Sequence, residues 1–508
     1  MKHNFFKYLL VMATGGLILA GTGCNKLEDF GDTNLNPLGS TSPITSALLT
    51  SAQVNLGGVA QSIRPALYVQ YIAETQYTDA SLYAEPNLEA GGAYSGPMYD
   101  LQSIIRRNTD PATAAANVSS GSNANQIAVA KILLSYYIWT VTDRWGDVPY
   151  SESLKGAGNF TPVFDKQEDI YKKMFVDLKE AIAGFDGGLS VRGDIMYAGD
   201  QAKWKKLANT LRMLMALRIS NASPATARTE FIAAATDPAG VISTNSENLL
   251  VDYPGGAAYR HPWFDLYNGR SDYALSKTLA DILSNMNDAR RTAYGSSGAP
   301  FPYGLKREQA TTLPTNYATV LSAANRAENS PVVVVSAASS LFAIAEGLQR
   351  NWITSTLSPV ITSAKDAYDA AITASFAQWG VSGAAAYIVN AGADFNTGTG
   401  GGSSIGANPF GSIVGASATT TTNLERIALQ RYIALFPDGI QAWSEWRRTN
   451  VPNLKPTVFA TNSAAGGQIP TRYVYGVNEY SLNPTKVAEA VTRLPLGDVM
   501  NEKVWWDK

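Results

Sequence analysis

Histidine and cysteine supply most neutral-pH bases, nucleophiles and zinc ligands, and this chain of 508 residues holds only His3, His261 and Cys24. A multi-histidine metal site, a cysteine zinc site and an internal disulfide are therefore excluded. A Ser-His-Asp triad could be built only on His261. That residue lies in Tyr259-Arg260-His261-Pro262-Trp263-Phe264, an aromatic context where a lone histidine more often stacks or hydrogen-bonds than abstracts protons. Paired carboxylates are the remaining route to hydrolysis, since glycosidic cleavage needs an acid and a base or nucleophile about 5 to 10 Å apart. Asp143 and Asp147, within Thr142–Tyr150, are the best-placed pair, although Arg144, Gly146 and Pro149 beside them also suit a helix end held by an Asp–Arg contact. Gly398–Gly415 is the most glycine-rich stretch. It lacks Gly-Lys-Ser or Gly-Lys-Thr and follows no clear strand, so it reads as a flexible loop and not a phosphate cradle.

Rings and amides are abundant where acids, bases and thiols are scarce. The chain has 25 Tyr and 10 Trp, many in segments without helical periodicity. Tyr77, Tyr83, Tyr94 and Tyr99 fall in one such segment, Tyr253, Tyr259, Trp263, Phe264, Tyr267 and Tyr273 in another, and Tyr294, Phe301 and Tyr303 in a third. Sugar rings offer apolar faces that stack on aromatics and hydroxyls that pair with amides and charges, so rings beside Asn268, Arg270 and Asp272 suit a glycan. The ligand-contact candidates are Tyr83, Tyr94, Tyr259, His261, Trp263, Phe264, Tyr267, Asn268 and Tyr303; most aromatics of any helical protein fill its core instead.

The elements that position these loops are helices. Gln167–Ile182 repeats Ile170, Met174, Leu178 and Ile182 every four residues, and Trp204, Leu207, Leu211 and Leu214 form a second stripe behind Asp200 as N-cap. Ile127–Val141 is apolar almost all round and reads as a buried helix. Ser276–Met286, Ser340–Leu348, Ala364–Trp379 and Leu424–Leu435 read as further helices, and alternating strand patterns are lacking. The connections Glu74–Met98, Asp252–Tyr273, Ala289–Pro314, Gly392–Thr422 and Val451–Pro484 are long for a compact protein, which marks them as functional or mobile. The helices near 127, 167 and 202 are spaced like helical hairpins. The fold class is mainly α, one large domain of tetratricopeptide-like helical hairpins with long irregular loop insertions.

Lys2 and Lys7 precede the apolar run Tyr8–Ala20, then Gly21, Thr22 and Gly23 lead to Cys24. This is the plan of a secretory signal, too short to span a bilayer, with the cysteine placed for lipidation. Residues 1–23 are thus expected to be a signal peptide, 24–42 a tether behind lipidated Cys24, and 43–508 the ligand-binding domain. Forty Lys plus Arg against 42 Asp plus Glu give a net charge of −2, which argues against nucleic acid as a partner.

Several segments together resemble the SusD/RagB-like family of outer-membrane lipoproteins. They are Thr33–Pro37 followed by Ser46–Gln53, Tyr94–Pro97, Thr142–Tyr150, Gly199–Asn209 leading into Arg218–Ser220, Gly269–Tyr273 with Asn287–Arg290, Ala434–Arg448 and the Val504–Asp507 ending. The chain departs from the family at His261-Pro262, where Asn-Pro is common, and around Phe342–Glu346. The resemblance implies a scaffold of tetratricopeptide-like hairpins, lipid anchoring at the outer face of the outer membrane, and capture of a glycan. It further implies a non-catalytic lid on a TonB-dependent (SusC-like) transporter. No cofactor and no metal site is read from the residues themselves. A peptide-capturing lid and a secreted glycoside hydrolase using Asp143 and Asp147 are the alternatives. Trp443–Arg448 is expected to be structural, with Glu445 and Arg448 pairing on a helix surface.

Overall fold

Buried apolar faces and side-chain caps set the helix limits. The computed structural model describes residues 43–256, 258–354, 361–411, 413–461 and 467–508, and Thr45–Lys508 form one compact unit. The expected signal peptide, Cys24 and the tether lie outside the described residues. The principal helices are α1 (Thr45–Ala60), α2 (Ile63–Tyr68), α3 (Tyr99–Thr109), α4 (Asn123–Trp145), α5 (Gln167–Gly184), α6 (Gln201–Arg218) and α7 (Pro224–Ala235). They continue as α8 (Pro262–Leu266), α9 (Lys277–Asn285), α10 (Ala337–Gln349), α11 (Ala364–Gln378), α12 (Asn423–Ala434) and α13 (Gly439–Thr449).

Each helix expected from the sequence is present. Asp200 caps α6 by accepting from the backbone N–H groups of Ala202 and Lys203 at 2.9 and 3.2 Å. Thr422 and Glu425 close a capping box at the start of α12. The α4 helix, apolar almost all round, is buried on nearly every face. Successive helices pack as neighbours, α3 on α4, α4 on α5, α5 on α6 and α6 on α7, with α10 on α11 as a further pair. The fold is mainly helical, as expected, and its hairpins share one continuous core.

The strands were not legible. Short antiparallel pairs join β1 (Ile72–Glu74) to β5 (Tyr273–Leu275), β2 (Val148–Pro149) to β3 (Phe164–Asp165), and β4 (Leu249–Val251) to β6 (Val332–Val335). The glycine-rich stretch is a correction to the flexible-loop reading. It forms β7 (Gly400–Ser403), β8 (Gly406–Ala407) and β9 (Ile413–Thr419), and β9 also pairs with β10 (Asn453–Lys455). Glycine serves close approach there: a Cβ on Gly400, at φ +74°, would stand 2.0 Å from the Ala418 carbonyl oxygen.

Candidate functional site

The β1–β5 pair ends at Glu74 opposite Tyr273, and from that end four of the long connections are stitched together. Thr75 donates from its N–H to the Asp272 carbonyl (2.9 Å) and from its hydroxyl to that of Ser271 (2.7 Å). The Tyr317 hydroxyl also donates to Ser271 O (2.7 Å), Thr457 Oγ1 donates to Gly304 O (2.8 Å), and Thr461 N–H donates to Leu82 O (2.8 Å). Segments starting near 74, 252, 289 and 451 thus converge on one surface, although they are far apart in sequence.

The floor of that surface is closed and built largely of aromatic rings. Tyr83 and Tyr303 are fully buried, with Tyr83 edge-on to Tyr68 at 6.2 Å, and burial pushes both phenols up. Burial also raises Glu74, partly offset by the Ser81 N–H and hydroxyl that donate to its carboxylate at 2.8 and 2.9 Å. Above the floor the Tyr77 ring is 49% exposed. Two guanidinium groups lie over it, Arg270 at 5.2 Å and Arg307 at 4.8 Å from the ring centroid. Arg270 pairs with Asp272 (2.5 Å), and the Lys306 ammonium stands 5.2 Å from the Phe459 ring. Rings, guanidinium donors and a carboxylate acceptor on one exposed patch can stack on a pyranose face and pair with its hydroxyls.

The nine residues singled out from the sequence are not brought together. Tyr83 and Tyr303 belong to the floor, and Trp263 and His261 are buried in the core, so none of these four offers a ring face to a ligand at the surface. That is a correction with a plain cause: a large apolar ring in a loop that folds back on the helices gains more from burial than from exposure. Tyr94 is half-buried in the turn Tyr94–Met98, its hydroxyl donating to Pro149 O at 2.6 Å. Tyr267 is held by donation to Tyr273 O (2.8 Å) and acceptance from Val320 N–H (2.7 Å). Phe264 is half-buried beside Arg260, Asn268 is exposed, and Tyr259 is 53% exposed on a groove shared with Asn55, Ile195 and Tyr253. Sequence reading grouped Tyr77 with loop aromatics but missed Arg307, whose partner ring lies 230 positions earlier; only the folded chain joins them.

The carboxylate pair is likewise committed elsewhere. Asp143 is buried, pairs with Arg218 (2.8 Å) and accepts from Tyr171 OH (2.6 Å) and Trp506 Nε1 (2.8 Å). Its partner is Arg218, not the neighbouring Arg144 that the sequence suggested. Asp147 accepts from Gln167 N–H (2.9 Å) and pairs with Arg493 at 2.5 Å. Every oxygen of the two carboxylates is engaged, and Asp147 lines a surface pocket beside Arg493 that the buried Asp143 does not reach, so the two do not share a cleft.

A family model described as starch-binding and associating with the outer membrane matches residues 37–476. The chain belongs to the SusD-like family. A chitin-binding SusD homologue from Flavobacterium johnsoniae superposes with a TM-score of 0.77 at 25% identity, over 91% of this chain and 98% of that one. A second solved chitin-binding protein is 27% identical with a TM-score of 0.73, covering 91% of this chain and 100% of the other. A SusD homologue from Bacteroides uniformis, 24% identical with a TM-score of 0.76 over 91% of this chain and 98% of its own, shares the fold. No curated protein sequence matches. Among the described residues of this SusD-like chain, no helix is long and apolar enough to cross a membrane.

Proposed function

We propose that the protein is a lipid-anchored, cell-surface protein of the outer membrane that captures a glycan and delivers it to a TonB-dependent transporter, acting as a non-catalytic lid. The observation that carries this reading is the convergence of four loops on a closed floor, with Tyr77, Arg270 and Arg307 exposed and Asp272 half-buried above it. Membership of a family described as starch-binding and outer-membrane-associated supports it, as do the two relatives described as chitin-binding. Cys24 after Gly21-Thr22-Gly23 supports the anchor. The paired state of Asp143 and Asp147 supports capture without cleavage.

The test is calorimetry with starch and chitin oligosaccharides. Tyr77→Ala and Arg307→Ala are each expected to weaken the bound glycan by about tenfold, or ~1.4 kcal/mol, with unchanged melting temperature. Incubation with the same glycans is expected to release no reducing ends. Full affinity in the Tyr77→Ala protein would remove this surface from the site, and released sugar would restore the hydrolase alternative.

A further inference from the structure

A pocket of about 190 Å³ runs inward between the 321–336 segment and the ends of α11 and α12. It is smaller than the ~300–1,000 Å³ typical of whole-ligand sites, so it suits a substituent and not a chain of sugars. Pro331, Asn325 and Gln378 form its partly exposed mouth, while Gln61 and His261, 7% and 2% exposed, lie at its inner end.

One buried residue fixes both inner groups. The Trp263 backbone N–H donates to His261 Nδ1 (3.1 Å), and the Trp263 indole N–H donates to Gln61 Oε1 (2.7 Å). Since Nδ1 accepts, the imidazole carries its proton on Nε2, and burial lowers its pKa to about 4, so the ring stays neutral. Since Gln61 Oε1 accepts from an indole that can only donate, the amide NH₂ is the free end. His261 Nε2–H and the Gln61 NH₂ make no hydrogen bond to the protein among the described residues, which leaves two preset donors at the pocket's inner end. Gln378 Oε1 supplies a buried acceptor, also without a protein partner. Leu321, Val332, Val334, Leu435 and Phe436 form apolar walls.

Two neutral donors, an acceptor and apolar walls match an amide: a carbonyl oxygen for the donors, an N–H for Gln378, and a small alkyl group for the walls. A carboxylate would satisfy the donors but would meet the Asp438 carboxyl on the same pocket wall, and an ammonium would leave both inner donors without an acceptor. We propose that this pocket is a subsite for an acyl-amide group of the captured glycan, the 2-acetamido substituent of a hexosamine. The inference rests on the glycan-capture reading and adds what that reading leaves open, the substituent by which the ligand is told apart from a plain glucan. Trp263, expected from the sequence to stack on ligand, becomes the positioning residue of the two donors.

The test uses His261 itself, because it is the only histidine of the folded unit. Long-range ¹H–¹⁵N spectra of the full chain are recorded with N-acetylglucosamine, chitobiose, glucose, acetate and N-acetylalanine methylamide as probes. N-Acetylglucosamine and chitobiose are expected to shift the Nε2 signal, and glucose and acetate to leave it. His261→Phe is expected to cut chitobiose affinity at least fivefold while leaving cellobiose affinity unchanged. A silent Nε2 signal with saturating chitobiose overturns the subsite even if calorimetry shows glycan bound, in which case glycan capture stands. A shift with the peptide mimic alone also overturns it and assigns the pocket to a peptide bond. A shift with N-acetylglucosamine but no oligosaccharide binding anywhere would keep the subsite and overturn glycan capture.

Discussion

Asp438 caps α13, accepting from the Gln441 N–H at 3.1 Å, yet it is buried, and burial pushes its pKa up to about 7 against the pull of the backbone donors. Its unfolded value is about 3.9, so the folded state holds the proton more tightly. The stability linked to that proton is complete below the unfolded value and is lost as pH rises through about 7. Asp438→Asn keeps a capping side chain and removes the titration. Its melting temperature is expected to fall less than wild type's between pH 4 and 8, and parallel curves for the two proteins would refute the shift. A second residue-scale case is Arg448, whose guanidinium bridges the buried Glu346 (2.7 and 2.6 Å) and Glu445. Burial alone would raise Glu445, but Arg431 and Arg448 outweigh it and hold the carboxyl at about 2. Arg448→Met leaves two buried carboxylates short of a partner and is expected to cost about 3–5 kcal/mol in denaturant unfolding. A loss under about 1 kcal/mol would place the pair in the class of surface bridges. The spacing of Glu445 and Arg448 showed that they pair, and their place on the surface was the wrong part of that reading. Burial follows from Glu346, 102 positions away, which no local pattern reveals.

At the scale of elements, legibility followed the range of the forces. The α5 and α6 stripes and the Asp200 and Thr422 caps are set within a few residues, so the sequence displays them. The β7–β10 sheet is set by partners outside its own segment, and β10 lies some fifty residues beyond β7, so a glycine-rich composition alone pointed to a loop. The same distinction governs the proposed binding surface: its aromatic loops were visible, but which rings turn inward depended on Tyr303 finding Tyr83, and Thr457 finding Gly304, across the fold. One helix contact gives a sharp test. The α13 helix begins at Gly439 against α2, where a Cβ would stand 2.3 Å from the Ala66 backbone nitrogen and 2.7 Å from its Cα. Backbone cannot yield as a side chain does, so Gly439→Ala is expected to separate α13 from α2 and destabilise by about 1–3 kcal/mol, read as a lower melting temperature. An unchanged melting temperature would mean that α2 moves freely, against its burial at Pro65, Ala66, Leu67 and Tyr68.

Across the whole molecule, the proposed function puts capture and delivery in different parts of the chain. The compact unit begins at Thr45, and the surface built from Tyr77, Arg270, Asp272, Arg307 and Phe459 draws all its residues from within it. The proposed anchor is Cys24, and the 25–42 segment joining the two can reach at most about 60 Å. Each buried methylene contributes about 0.8 kcal/mol to membrane attachment, so on the proposed reading removing the Cys24 thiol would remove the attachment while no ligand contact changes. A lid that closes on a transporter also depends on being held near it, because tethering replaces a bimolecular encounter with a high local concentration. Cys24→Ala is therefore expected to move the protein from the membrane fraction to the soluble fraction and to lower glycan uptake by cells. Calorimetry on the purified variant should return the wild-type glycan affinity. Continued sedimentation with membranes would rule out Cys24 as the anchor. Loss of affinity in solution would show that the anchor region takes part in binding, and the separation of capture from delivery would then fail.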